Sequence, residues 1–312
     1  MFLYPKTMDQ SIEVSLLKES ELEEADRIFR LAFGTFLGMP DPSAFIPGRQ
    51  LIAPRFRSSH VVALAARDGD RLIGSNFVTR WGSFGFFGPL SVLPEFWDQG
   101  VAKLLLAATM NVFEEWGVRH TGLFTFPQSP KHVGLYQKFG YWPRYLTAVM
   151  YSKQEGSPTP GLLLSELDGD AREKAISKWA ELSNGIDEGL DLTGEIRAAL
   201  DQGIGDVVMT PDFDAFAICL TGPGSEGGEK VCYVKFGAAR DREGFDRLLE
   251  ACEAFAASHG ATVEAGVNLA REDAYRAMRS RGYRVAFQGV AMHRPHAEGF
   301  NRPDVYVIDD WR

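Results

Sequence analysis

The strongest constraint on what this chain can fold into is an internal repeat: its second half restates the pattern of its first. Gly140-Tyr141 recurs as Gly282-Tyr283, Tyr145 as Phe287 and Met150 as Met292, all at one constant offset with no gap. Ahead of each glycine the spacing of apolar residues predicts a long helix, a strand and a short helix. Further upstream lie strand-like runs, at residues 60–66 and 71–80 in the first half and 206–209, 215–220 and 230–236 in the second. Strands interleaved with helices in this way imply an α/β fold with a mixed sheet. The stretch QEGSPTP, residues 154–160, has the composition of a linker. The expected organisation is two mixed-sheet α/β domains in tandem, residues 1–154 and 160–312.

Within the first copy, residues 90–106 (LSVLPEFWDQGVAKLLL) order a short apolar strand, a glycine-bearing turn and a helix. Apolar side chains at Val101, Leu104, Leu105, Ala108, Val112 and Trp116 predict the buried face of that helix. Its first N–H groups have no partner within the helix, and the helix dipole favours an anion there. Gly100 and Ala102 keep side chains out of the approach. Two readings fit: a bare strand-to-helix turn, or a cradle for a diphosphate. The second copy serves as an internal control. Opposite Gly100-Val101-Ala102 it offers Asp241-Arg242-Glu243-Gly244-Phe245-Asp246, and opposite Tyr136 it has Met278. An acid at the turn would repel a diphosphate, so the first copy is expected to work and the second to be catalytically silent.

Other stretches carry weaker expectations. Ser20 with Glu23 makes a capping-box pattern before a helix whose Leu22, Ala25, Ile28, Phe29, Ala32 and Phe33 share a face. GTFLGMPDPSAFIP, residues 34–47, suggests a loop able to cover a site. Phe84, Phe86 and Phe87 suggest an aromatic wall and hint at an apolar or aromatic ligand. Val305-Tyr306-Val307 would add an edge strand.

Composition excludes several classes. A net charge of −9 and a pI near 5.3 argue against nucleic acid as a partner. Three cysteines, Cys219, Cys232 and Cys252, are an odd number without metal-ligand spacing. They are expected to be small buried hydrophobes in a reducing compartment. No apolar run reaches the length of a membrane span, and MFLYPKTMDQ lacks the apolar core of a signal peptide. The expectation is a cytoplasmic protein with no membrane partner and no metal. A G-x-S-x-G elbow and a G-x-x-x-x-G-K-[ST] loop are both absent, which sets aside serine hydrolysis and nucleotide hydrolysis.

On these residues the first half resembles the GNAT superfamily of acyl-CoA-dependent N-acyltransferases, over about residues 11–151, with a degenerate version in the second half. Pro94, Gly100 and Ala102 fit the family's P-x-x-[QR]-x-x-G-x-[GA] turn. Leu135-Tyr136-Gln137-Lys138-Phe139-Gly140-Tyr141 fits its L-Y-x-x-x-G-[FY]. Trp97 stands where Gln or Arg is usual, with Gln99 shortly after it, and Ser129 where an Asn is often found.

The resemblance implies two GNAT-like domains and acetyl-CoA as cosubstrate. Its diphosphate would lie at Trp97, Asp98, Gln99, Gly100, Val101 and Ala102, with Ser129 beside it, and its pantetheine arm along the backbone of Leu90, Ser91 and Val92. The implied reaction is direct attack by a primary amine of a small molecule or peptide. Tyr136 would be the acid, protonated at neutral pH because a phenol ordinarily ionises near pH ~10. A backbone N–H, at Val92, would polarise the carbonyl. Residues 84–92 hold no Glu, Asp or His to act as base. Glu95, Asp98, His120 and His132 are nearby, and deprotonation through water is the simpler route. A protein that binds acyl-CoA without turnover, as a sensor or scaffold, is the alternative that Trp97 leaves open.

Overall fold

The structure is a computed structural model that describes residues 12–152 and 158–312. Its first half runs β1 (Ile12–Leu16), α1 (Leu22–Phe36), α2 (Ile52–Phe56), β2 (Val61–Asp68), β3 (Arg71–Trp81), β4 (Phe84–Phe87), β5 (Ser91–Val92), α3 (Val101–Trp116), β6 (His120–Thr125), α4 (Pro130–Gln137) and β7 (Trp142–Tyr151). The second runs β8 (Leu162–Leu163), α5 (Gly169–Ile186), α6 (Thr193–Asp201), β9 (Gly205–Met209), β10 (Ala215–Gly222), β11 (Gly228–Ala239), α7 (Arg242–Ser258), β12 (Thr262–Asn268), α8 (Glu272–Ser280), β13 (Arg284–Arg294) and β14 (Tyr306–Ile308). The repeat in sequence is therefore a repeat of elements, β2-β3-β4-α3-β6-α4-β7 against β9-β10-β11-α7-β12-α8-β13.

Local chemistry accounts for the boundaries. Asp68 pairs with Arg71 across a two-residue hairpin loop, and Gly69 supplies its positive φ of 59°. Gly117, at φ 62°, closes α3. The capping box at Ser20 and Glu23 does not form. The chain turns two residues earlier, and the Glu21 carboxylate accepts the Lys18 N–H (2.8 Å) while also pairing with Arg67. The buried face of α3 is also turned from the expected one. Leu105, Leu106, Thr109, Met110 and Phe113 are buried, whereas Leu104, Ala108, Val112 and Trp116 are only half-covered. Thr109, which apolar periodicity passes over, sits inside that face because its hydroxyl accepts from Asn76 Nδ2 on β3 (2.8 Å) and donates to Leu105 O (2.8 Å).

All the strands belong to one mixed sheet, ordered β1-β2-β3-β4-β6-β13-β7-β12-β11-β10-β9-β8, with β5 pairing β3 and β14 pairing β11. The halves interlock at its centre. Both neighbours of β7, β12 and β13, come from the second half, and β13 lies between β6 and β7. Phe84 and Phe86 do not face a ligand. They pack with Trp81 into a core shared with α5 and α6, and strand alternation sends only Phe87 to the other face.

The segment expected as an edge strand, β14, is internal. It pairs Tyr306, Val307 and Ile308 with Ala239, Ala238 and Gly237 of β11. β10 already holds the other edge of those same residues. β14 therefore continues the edge that β12 occupies lower down, at Val231–Val234, and it fills the gap where β11 and β12 part.

Candidate active site

In the first half the corresponding gap is open. β4 pairs with β6 only through Phe84, Gly85 and Phe86. Beyond that point the two strands separate, and a cavity of about 1190 Å³ lies between residues 87–92 on one side and 123–126 on the other. Leu93 N–H donates to Ile73 O, and a Cβ at Gly74 would come within 2.7 Å of the Ser91 carbonyl. The backbone of 91 and 93 is thus used against β3, and alternation turns the N–H and C=O of Val92 toward the open side.

The turn into α3 is built for an incoming acceptor of hydrogen bonds. Asp98 (φ 64°) and Gly100 (φ 90°) both take left-handed conformations. No side chain caps α3. Lys103 N–H is the first to bond back, to Gly100 O (2.9 Å), so Val101 and Ala102 present their N–H groups outward at the positive end of the dipole. In the second half the matching helix serves itself: Asp241 Oδ1 accepts the Gly244 N–H at 2.8 Å.

Of the residues expected at the cofactor, Leu90, Val92, Trp97, Asp98, Gly100, Val101, Ala102 and Ser129 line this cavity, as does Tyr136. Ser91 and Gln99 do not. Ser91 is buried beneath the strand, and the Gln99 amide bonds back to Glu95 O (2.7 Å). Trp97 has a structural use: its indole Nε1 donates to Val92 O (2.8 Å), and its ring lies 5.9 Å from Lys131 Nζ. Ser129 caps α4 by accepting the His132 N–H. Three lysines that sequence reasoning passed over, Lys103, Lys131 and Lys138, stand around the same end, Lys131 paired with Asp98 at 2.6 Å.

Tyr136 is nearly buried against Phe87 (ring centroids 5.8 Å apart). Burial pushes its hydroxyl up to about 12, against a hydrogen bond with Thr125 that favours ionisation. It is a proton donor at any neutral pH. Among the nearby candidates for a base, Glu95 pairs with Arg71 on the surface. His120 is buried against His293 (2.9 Å). His132 lines the cavity on the Tyr136 side of α4, its ring tilted 40° against that of Phe36 (centroids 4.7 Å apart), with its pKa lowered by burial and by Lys131.

The far end of the cavity joins both halves. Its apolar wall comes from Phe33 and Phe36 at the end of α1 and from Phe45 and Ile46 after it, with Phe124 and Phe126 opposite; residues 34–36, expected in a loop, are the last of α1, and the segment after them covers the cavity. Its polar floor holds Arg49, Tyr151, Glu226, Tyr233, Glu264 and Arg312. Burial disfavours the charge on Glu264, but Arg312, Arg49 and the Tyr151 hydroxyl outweigh it and hold the carboxylate well below its usual range. Arg55 and Lys235 do the same for Glu226. Both carboxylates are saturated with donors and do not offer a free base. No spacing in the sequence joins these floor residues, since they come from distant segments. Only the aromatic loop carried a signal.

Among the described residues no cluster of His, Cys, Asp and Glu could hold a metal ion, and no helix is long and apolar enough to cross a membrane. The three cysteines are buried and unpaired.

Residues 25–141 match the model of the GNAT family of acetyltransferases. No curated protein matches the chain. Among solved structures, a putative acetyltransferase from Pyrococcus horikoshii superposes with a TM-score of 0.69 at 15% identity, covering 99% of this chain and 98% of its own. A GCN5-related N-acetyltransferase from Sphaerobacter thermophilus gives 0.58 at 14% identity, covering 92% and 96%. One from Anabaena variabilis gives 0.50 at 14% identity, covering 90% and 72%. At these identities the likeness is one of fold.

Proposed function

We propose, from the match of residues 25–141 to the GNAT family of acetyltransferases, that the chain transfers an acetyl group from acetyl-CoA to a primary amine. The observation that carries this reading is a single cavity lined both by an uncapped helix N-terminus and by Tyr136. The residues fit the donor: the outward N–H groups of Val101 and Ala102 would take its diphosphate, with Lys103, Lys131 and Lys138 around them. The strand edge at Leu90 and Val92 would run along its pantetheine arm. Trp97 already occupies the Val92 carbonyl, which leaves the Val92 N–H as the group to polarise the thioester carbonyl.

Acetyl-CoA supplies an activated acyl carbon. An unprotonated amine attacks that carbon, the C–N bond forms, and the C–S bond breaks. Tyr136 gives its proton to the departing thiolate, and the proton lost by the amine leaves through water. The aromatic wall at Phe33, Phe36 and Phe45 favours an amine on an apolar body. The chain reads as a tandem of residues 1–154 and 160–312, the second unit silent, in a cytoplasmic protein that acts on a small-molecule or peptide amine.

Thiol release from acetyl-CoA, followed across a panel of aliphatic and aromatic amines, tests the proposal. The expected outcome is amine-dependent release that saturates in both substrates. Tight coenzyme A binding with no release from any amine would make the protein a sensor.

A further inference from the structure

The second half contains the same cleft as the first, and the chain itself fills it. Matching β4–β6 pairing to β11–β12 pairing sets Phe84 opposite Val231 and so places Leu90, Ser91 and Val92 opposite Gly237, Ala238 and Ala239. These last three are the residues that β14 pairs with. β14 thus lies where the first half keeps its strand edge open. A buried cation fixes it there. Arg271 begins α8 at the position that Ser129 holds before α4. Its guanidinium donates from Nη1 to Val307 O (3.0 Å) and from Nη2 to Asp309 Oδ2 (2.6 Å) and Asn301 Oδ1 (2.5 Å). It is fully buried and does not line the first cavity.

From this anchor the segment crosses into the first half. Asp309 N–H donates to Gly266 O (3.0 Å). A Cβ at Gly266 would meet Asp310 at 2.3 Å, and one at Gly122 on β6 would meet the Trp311 ring at 2.6 Å. Two glycines therefore clear the path. Arg312 arrives at the floor of the first cavity, bound to Glu264 (2.8 Å) and lying over the rings of Tyr233 (5.0 Å) and Phe287 (5.4 Å). Trp311 and Arg312 both line the cavity.

We propose that residues 306–312 are a built-in occupant of the second cleft, and that Arg271 is a positioning residue which sets acceptor selection in the first cavity through Trp311 and Arg312. One filled cleft has two consequences: a single coenzyme A site per chain, and an acceptor floor supplied by the strand that does the filling. The acceptor half of this inference rests on the function proposed above.

Calorimetric titration of coenzyme A into the full chain should give one site per chain, and hydrogen exchange should show the Tyr306 and Ile308 amides, which face β11, protected like those of β11. Two sites, or fast exchange at β14, would overturn the occupied cleft. With the best amine of the panel, Arg271→Met should raise the acceptor KM about tenfold, with kcat within about threefold and the coenzyme A Kd within about twofold of the unaltered chain. Arg271→Lys should recover part of that loss. An unchanged acceptor KM in an Arg271→Met chain that exchanges rapidly at β14 would overturn the positioning role. Should Arg271→Met fail to fold, Arg312→Ala, which leaves β14 paired, carries the same test, and an unchanged acceptor KM there overturns the role. Absence of transfer to every amine sinks the proposed function and the acceptor half with it, whereas one site per chain still upholds the occupied cleft.

Discussion

Tyr136 stays protonated wherever an amine is free to attack, because burial pushes its hydroxyl up to about 12. Tyr136→Phe keeps the ring packed on Phe87 and removes only the proton. It should lower kcat by roughly 10²–10⁴-fold with coenzyme A binding unchanged, and an undiminished kcat would take Tyr136 out of the chemistry. Gly100 tests the other end. At φ 90° a side chain is strained, and a carboxylate would face the diphosphate. Gly100→Asp should weaken coenzyme A binding by at least about tenfold, or about 1.4 kcal/mol. Gly244→Ala is the control: its Cβ would meet Asp241 Oδ1 at 3.4 Å, an ordinary contact, in a turn that already caps itself. Calorimetry reads both variants. Gly100 and Tyr136 were legible because each lies in a short motif whose spacing is local. Arg49, Glu226, Glu264 and Arg312 were not, since no periodicity joins residues that meet only when the sheet is assembled.

At the scale of elements, two copies of one plan differ in what completes them. α3 leaves its first N–H groups uncapped, whereas α7 caps itself through Asp241. The strand gap beside β5 is a cavity, and the gap beside β11 holds β14. The covering loop has its own anchor. Arg30 on α1 donates to Phe45 O (2.7 Å), Ile46 O (3.0 Å) and Arg49 O (2.7 Å) while paired with Asp26 (2.7 Å). It does not line the cavity. Arg30→Met should therefore free the loop without touching either substrate. The acceptor KM should rise severalfold, the coenzyme A Kd should hold, and the amides of Phe45, Ile46, Gly48 and Arg49 should exchange faster. Equal exchange would show that Arg30 does not hold the loop.

At the scale of the whole molecule, the exchange of β7 and β13 makes the halves one body. A protease site placed at residues 153–157 and then cut should leave two pieces that co-elute on size exclusion and part only on denaturation, because β7 finds both its partners in the second half. Separation under native conditions would contradict the interlock. The seam also contains a pH response. Burial lowers His120 to about 4 and His293 to about 3, from an ordinary value near 6.5. Between those values the unfolded chain binds protons that the folded chain refuses. The stability this pair contributes is thus complete above pH 6.5 and lost as pH falls toward 4 for His120 and toward 3 for His293. The slope is up to about 1.4 kcal/mol per pH unit for each histidine. Urea midpoints at a series of pH values should show this slope, and replacing both histidines with Gln should flatten it.

The sequence by itself determined the repeat, the α/β character, the helix turn at Gly100 and the placing of Tyr136 in the motif beside it. Those depend on local spacing and on backbone conformations that short stretches impose. Tertiary structure alone decided that β14 lies inside the sheet, that Phe84 and Phe86 face a shared core, and that the cavity floor is built from both halves. Strand order and cleft occupancy follow from which edges remain unpaired after the sheet closes, and a hydrogen-bonding edge accepts any strand whose register fits.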